Sequence, residues 1–126
     1  MLLRPLPVAD PERLCVLFRE GDRGDGGVQT FDAWECPLLR LMRAEVKDEA
    51  ELIAVSYAER VDLSYGADEE IEKAQLQYVS GCMFNALGLR PALGGLLTED
   101  DDIEPGAHPC AVLSYDYWNA RFGRDP

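Results

Sequence analysis

Arg60-Val61-Asp62-Leu63-Ser64-Tyr65-Gly66-Ala67-Asp68-Glu69-Glu70-Ile71-Glu72-Lys73-Ala74-Gln75-Leu76-Gln77-Tyr78 is the stretch that decides the fold class. Val61, Leu63 and Tyr65 alternate with polar neighbours, and Ala74, Leu76 and Tyr78 do the same. A period of two puts each set on one face of a strand. Gly66-Ala67-Asp68 supplies turn chemistry between them, so the two strands read as an antiparallel hairpin.

Working upstream, Glu51 to Tyr57 is rich in Leu, Ile and Val and reads as a further strand. Before it, Asp32 and Glu35 have capping-box spacing, and Pro37 suits a first helical turn, where its missing N–H costs little. Leu38, Leu41, Met42 and Glu45 then fall at i, i+3, i+4 and i+7, with Arg40, Arg43 and Lys47 outward. That spacing predicts a helix whose apolar stripe enters a core. Leu14-Cys15-Val16-Leu17-Phe18 is a short apolar run bounded by charge and reads as a buried strand. The Gly- and Asp-rich segment 21–27 reads as a mobile surface loop.

Working downstream, Ser80 can cap a short helix through Met83, Phe84 and Leu87, with Gly88 to end it. Cys110-Ala111-Val112-Leu113 reads as another buried strand. Ser114 can then cap a helix from Tyr115 to Phe122, which Gly123 terminates. The order β-α-β-β-β-α-β-α is an α+β plan, taken as a single domain over residues 1–126.

A chain of 126 residues can bury roughly two thirds of the surface its unfolded form exposes, enough for one core. Its 24 acidic residues outnumber 12 Lys and Arg, giving a formal charge of -12. Such a surface repels phosphates, so nucleic acid is excluded as a partner. No apolar run approaches the roughly 20 residues of a spanning helix, and Met1 to Pro7 is too short for a signal peptide. Met1-Leu2-Leu3 begins inside an apolar stretch and Gly123 to Pro126 ends on a turn signal, so the chain reads as a piece of a longer protein.

Catalytic chemistry finds little to work with. The single histidine, His108, stands two residues from Cys110, but no nucleophile elbow or orienting group accompanies them. Cys15, Cys36, Cys82 and Cys110 lack the close pairing of a zinc site. They admit disulfides in an oxidising compartment, in three connectivities if all four pair, or buried thiols at Cys15 and Cys110. The acidic run Glu99 to Glu104 has the wrong spacing for an EF-hand and reads as a solvated loop. The glycine segment has neither a P-loop ending nor dinucleotide spacing. No catalytic, cofactor or metal residue is therefore assigned. Among Trp34, Tyr115, Tyr117 and Trp118, the residues picked for partner contact are Trp34, Tyr117 and Trp118, with Tyr117 expected to be accessible.

Three stretches carry a resemblance. They are Leu2 to Pro7 with Pro11-Glu12-Arg13-Leu14; Tyr78-Val79-Ser80-Gly81-Cys82-Met83-Phe84-Asn85-Ala86-Leu87-Gly88 followed by Arg90-Pro91-Ala92-Leu93-Gly94; and His108-Pro109-Cys110-Ala111-Val112-Leu113-Ser114-Tyr115 with Trp118 and Arg121-Phe122-Gly123. Together they resemble the MacB-type periplasmic core domain of ABC-transporter permeases, in particular the acidobacterial type with no ATPase in the same chain. Cys82 stands where that family usually has Asn or Asp, and Gly95 where a basic residue is common.

The resemblance implies a truncated core domain with a porter-like α/β part and a β-rich part, residues 1–13 leading from a preceding transmembrane helix. It also implies a parent in the inner membrane with this domain facing the periplasm. Its partners would be the transmembrane part of the same permease, a separate ATPase acting through the helices, and a periplasmic adaptor. The role implied is non-catalytic, coupling transmembrane movement to substrate export or to that partner. The alternative is a free-standing periplasmic ligand- or protein-binding module.

Overall fold

The computed structural model describes residues 6–66, 71–104 and 106–125. The chain forms two compact units, Met1–Leu52 and Ile53–Pro126.

In the first unit the glycine segment is the turn of a hairpin. Strand β1 (Arg19–Asp22) pairs antiparallel with β2 (Val28–Phe31), from Arg19 opposite Phe31 to Asp22 opposite Val28. Between them the Asp22 carboxylate accepts from the Gly24 N–H at 2.8 Å and the Asp25 carboxylate from the Gly27 N–H at 2.9 Å. Gly24 and Gly26 sit at φ 86° and 84°, where a side chain would be strained. The turn sets the register and pairs the residues that flank it directly. The run Leu14 to Phe18, expected as a buried strand, is instead irregular and exposed, Val16 to 72%. Its apolarity marks a wish for burial, but the hydrogen-bonding partner lies with Arg19 to Asp22.

Helix α1 (Cys36–Val46) follows, with Pro37 in its first turn. Its N-cap is Glu35, not Asp32, and no side chain caps it. The half-buried stripe is Leu39, Met42, Arg43 and Val46, leaving Leu38 and Leu41 exposed, the latter to 67%. The stripe is thus rotated from the one expected. Arg43, expected outward, turns inward, and its Nε donates to the carbonyl of Leu52 at 2.9 Å.

The second unit is built on the expected hairpin. Strand β3 (Glu59–Leu63) pairs with β4 (Glu72–Leu76), with Val61 opposite Ala74. Gly66 has φ 61°, in keeping with a turn; the rest of the expected turn, Ala67 and Asp68, lies outside the described residues. The segment expected as a strand from Glu51 to Tyr57 contributes only the bridge Val55 to Val79. Three residues, 56–58, oppose two, 77 and 78, between that bridge and the pair Glu59 to Leu76. This extra residue is a β-bulge, which interrupts the ladder and bends the strand.

Beyond the bulge the chain turns into helix α2 (Met83–Ala86), and Gly88 leaves it at φ 66°. The Ser80 hydroxyl accepts from the Ala54 N–H at 3.0 Å instead of capping that helix, whose N-cap is Cys82. Ser80, Gly81 and Cys82 are the buried positions among the described residues. Gly81 has a specific reason to be glycine, since a Cβ there would run into the backbone carbonyl of Thr98.

Cys110 to Leu113, expected as a buried strand, is irregular and exposed. Helix α3 (Tyr115–Phe122) has the expected ends: the Ser114 hydroxyl accepts from the Tyr117 N–H at 3.3 Å, and Gly123 closes it at φ 58°. Ser114→Ala should cost about 1 kcal/mol, the usual worth of such a cap, read as a lowered urea midpoint. The helix side chains reach the hairpin: Tyr117 donates to the Glu72 carboxylate, Arg121 Nε lies 3.2 Å from it, and Phe122 meets Tyr65 edge-on with centroids 5.0 Å apart.

The fold class is α+β, with two small antiparallel sheets and three helices among the described residues. The order is β-β-α-β-β-α-α, not β-α-β-β-β-α-β-α, because Leu14 to Phe18 and Cys110 to Leu113 form no strand, Glu51 to Tyr57 contributes only a bridge, and the glycine segment makes a hairpin.

Candidate functional site

The second unit holds an open apolar cleft of about 480 Å³. Phe84 from α2, Leu89 and Leu93 from the following loop, Val112 and Leu113 from the extended segment, and Trp118 from α3 line it. The residue pattern explains the shape. Pro91, Gly94 and Gly95 keep the loop out of regular structure, with Gly94 at φ 71°, so its leucines form one wall. Trp118 is held in place by two contacts: its indole N–H donates to the carbonyl of Asp125 at 2.9 Å, and Tyr115 meets it edge-on with centroids 5.9 Å apart. Arg90 is the charged residue in the lining.

Of the three aromatics picked from the sequence, only Trp118 reaches this cleft. Trp34 lies in the other unit, half-buried, donating its indole N–H to the Leu17 carbonyl at 3.3 Å. Tyr117, expected at the surface, is half-buried with its hydroxyl on Glu72. Tyr115, 53% exposed, is the surface aromatic of the helix. Arg90 is not among the residues that the sequence alone marks for contact. Its signal was a lone cation between Leu89 and a Pro- and Gly-broken apolar loop.

A second cluster surrounds the acidic run. Glu99–Asp102 coil into a 3₁₀ turn closed by a capping box between Thr98 and Asp101. The Asp101 carboxylate accepts from the Thr98 N–H at 2.8 Å and from its hydroxyl at 3.0 Å, and His108 Nδ1 lies 3.2 Å from the other oxygen. His108 therefore has its side-chain partner in Asp101, while Cys110 contacts it through the backbone. Among the described residues, no three His, Cys, Asp or Glu side chains converge to hold an ion.

The Thr98 N–H holds the Asp101 carboxyl below its ordinary value of 3.8, with the Thr98 hydroxyl next, while partial burial opposes and His108 assists. A depressed carboxylate contributes stability above the ordinary carboxylate range and loses it as pH falls through the lowered folded value. In a carboxyl NMR titration Asp101 should have a midpoint below the ordinary aspartate value, and Thr98→Ala should raise it.

The cysteines divide by exposure. Cys15, Cys36 and Cys110 are exposed thiols, and Cys82 is the buried one, its sulfur 3.4 Å from the Ser80 hydroxyl. Burial at Cys15 and Cys110, one of the two sequence-based expectations, fails with the strands that would have covered them. Comparison with family models, with curated proteins and with solved structures finds no match for this chain.

Proposed function

We propose that the chain is a non-catalytic, extracytoplasmic segment of a MacB-type ABC-transporter permease, coupling transmembrane movement to substrate export or to a periplasmic partner. Its partners in this reading are the permease's own transmembrane part, a separate ATPase acting through the helices, and a periplasmic adaptor. The observation that carries it is the apolar surface left open among the described residues: Phe18, Leu41, Val55, Tyr57, Ile71 and Tyr78 are all exposed. Burying one such side chain contributes about 1.5–3 kcal/mol, so these faces gain from further polypeptide laid over them. In this reading that polypeptide is the rest of the permease, as the resemblance of the three stretches implies. Among the described residues no helix is long and apolar enough to cross a membrane. Spanning helices therefore belong, in this reading, to other parts of the parent.

The cleft favours a second reading, a free-standing periplasmic binding module. Fractionation of the native full-length product separates the two. A product in the membrane pellet that resists alkaline extraction supports the permease. A soluble periplasmic product with its leader removed overturns it and leaves the binding module.

A further inference from the structure

We propose that the cleft of the second unit binds a free single-chain amphiphile with an anionic head, its chain against Phe84, Leu93, Leu113 and Trp118 and its head on Arg90. The inference rests on the cleft and stands whether or not the chain belongs to a transporter.

The volume, about 480 Å³, falls within the roughly 300–1,000 Å³ of small-ligand sites. Such sites are mostly apolar with a few polar groups that orient the ligand, and here the aliphatic and aromatic lining includes one basic residue, Arg90. The planar fork of a guanidinium suits a carboxylate or sulfate. A cationic amphiphile would meet Arg90 with its like charge, and a neutral one would leave it unused. Access is open, since a Cβ added at Gly95 would meet nothing within 4 Å.

The other occupants are disfavoured by charge. At -12 per chain, two copies repel each other, and an anionic bilayer repels the domain as a whole. The same repulsion acts on a small anion only until it enters the cleft, because free charges are screened over about 8 Å at physiological salt. A monomeric ligand can therefore reach Arg90 where a charged surface cannot approach.

The test uses the full chain with Trp34→Phe, which leaves Trp118 as the sole tryptophan. Dodecanoate, dodecanol and dodecyltrimethylammonium are titrated below their aggregation concentrations, and Trp118 emission is followed. Dodecanoate is expected to bind saturably and about tenfold or more tighter than the alcohol, the worth of a charge-assisted hydrogen bond. Arg90→Gln should bring dodecanoate down to the level of the alcohol with an unchanged circular dichroism spectrum. Should Arg90→Gln alter the fold, Leu93→Asp takes its place, because Leu93 is 54% exposed and an acid there should abolish dodecanoate binding. The proposal is overturned by an absent or unsaturable response, by equal affinity for the three amphiphiles, or by dodecanoate binding indifferent to the variants. Binding to phosphatidylglycerol vesicles without any response to monomeric dodecanoate also overturns it, in favour of a membrane surface.

Discussion

Gly81→Val is expected to lower stability by about 3 kcal/mol, while Gly95→Ala changes it by less than about 1 kcal/mol in either direction. Gly81 lies in the buried Ser80 to Cys82 segment, and any Cβ there meets the carbonyl of Thr98. The obstacle is backbone, not the tip of a side chain, so relief requires the 98–102 turn to move. That turn also supplies the Asp102 carboxylate, which accepts from the Gly81 N–H at 3.4 Å. Displacing it costs that hydrogen bond as well. At Gly95 a methyl group meets nothing within 4 Å. Urea denaturation of the two variants beside the parent reads the difference as midpoints. Equal midpoints would mean that the turn does not rest on Gly81.

Glu72→Ala is expected to lower the urea midpoint and to loosen α3 specifically. Glu72 accepts from the Tyr117 hydroxyl and faces Arg121 Nε at 3.2 Å, so one side chain on β4 holds two successive turns of the helix. The Tyr117 contact is a hydrogen bond to a charged group, the stronger kind, while Arg121 adds an ion pair that partial exposure of both partners weakens. Amide exchange should accelerate over Tyr115 to Phe122 and stay unchanged over β1 and β2. The hydrogen bond to Glu72 is also the main reason the Tyr117 phenol is raised above 10.0, with partial burial and the charge of Glu72 adding and Arg121 opposing. A raised folded value favours the neutral phenol. Its contribution is therefore full below the unfolded value and is lost as pH rises through the folded one. Glu72→Gln should bring the phenol back toward 10.0 in a tyrosinate titration. Uniform exchange along the chain, or a phenol indifferent to Glu72→Gln, would sink the assignment.

What could be read from the sequence was what the chain encodes locally. Both ends of α3 follow from Ser114 and Gly123, whose effects reach no further than three or four residues. The β3–β4 hairpin follows from alternation on either side of a short connection. Pairing between distant segments was not legible. Leu14 to Phe18 and Cys110 to Leu113 are apolar enough for buried strands, but apolarity names no hydrogen-bonding partner, and both remain irregular. The β1–β2 hairpin was missed for the opposite reason. Arg19 to Asp22 and Val28 to Phe31 carry little apolar alternation, and the turn between them does the organising through Asp22 and Asp25.

The cleft was half legible. Trp118 is legible as a contact residue, but Tyr117 reads as the exposed neighbour because helical spacing cannot show that Glu72 lies on the other side. The inward turn of Arg43 has the same origin: a long cation can bury its stem while its head finds a distant carbonyl. In each case a polar side chain chose its face by a partner far along the chain. Hydrophobic period alone assigned it to water.

The proposed place of the chain, outside the membrane on a membrane-bound parent, is tested most directly by thiol labelling of the native full-length protein in spheroplasts. After mild reduction, a membrane-impermeant maleimide should modify Cys110, an exposed thiol, in intact spheroplasts, on protein that sediments with membranes. Cys82, 5% exposed, should react only after unfolding and so reports that the labelled protein was native. Labelling of Cys110 only after lysis, or labelled protein found wholly in the soluble fraction, would contradict the account.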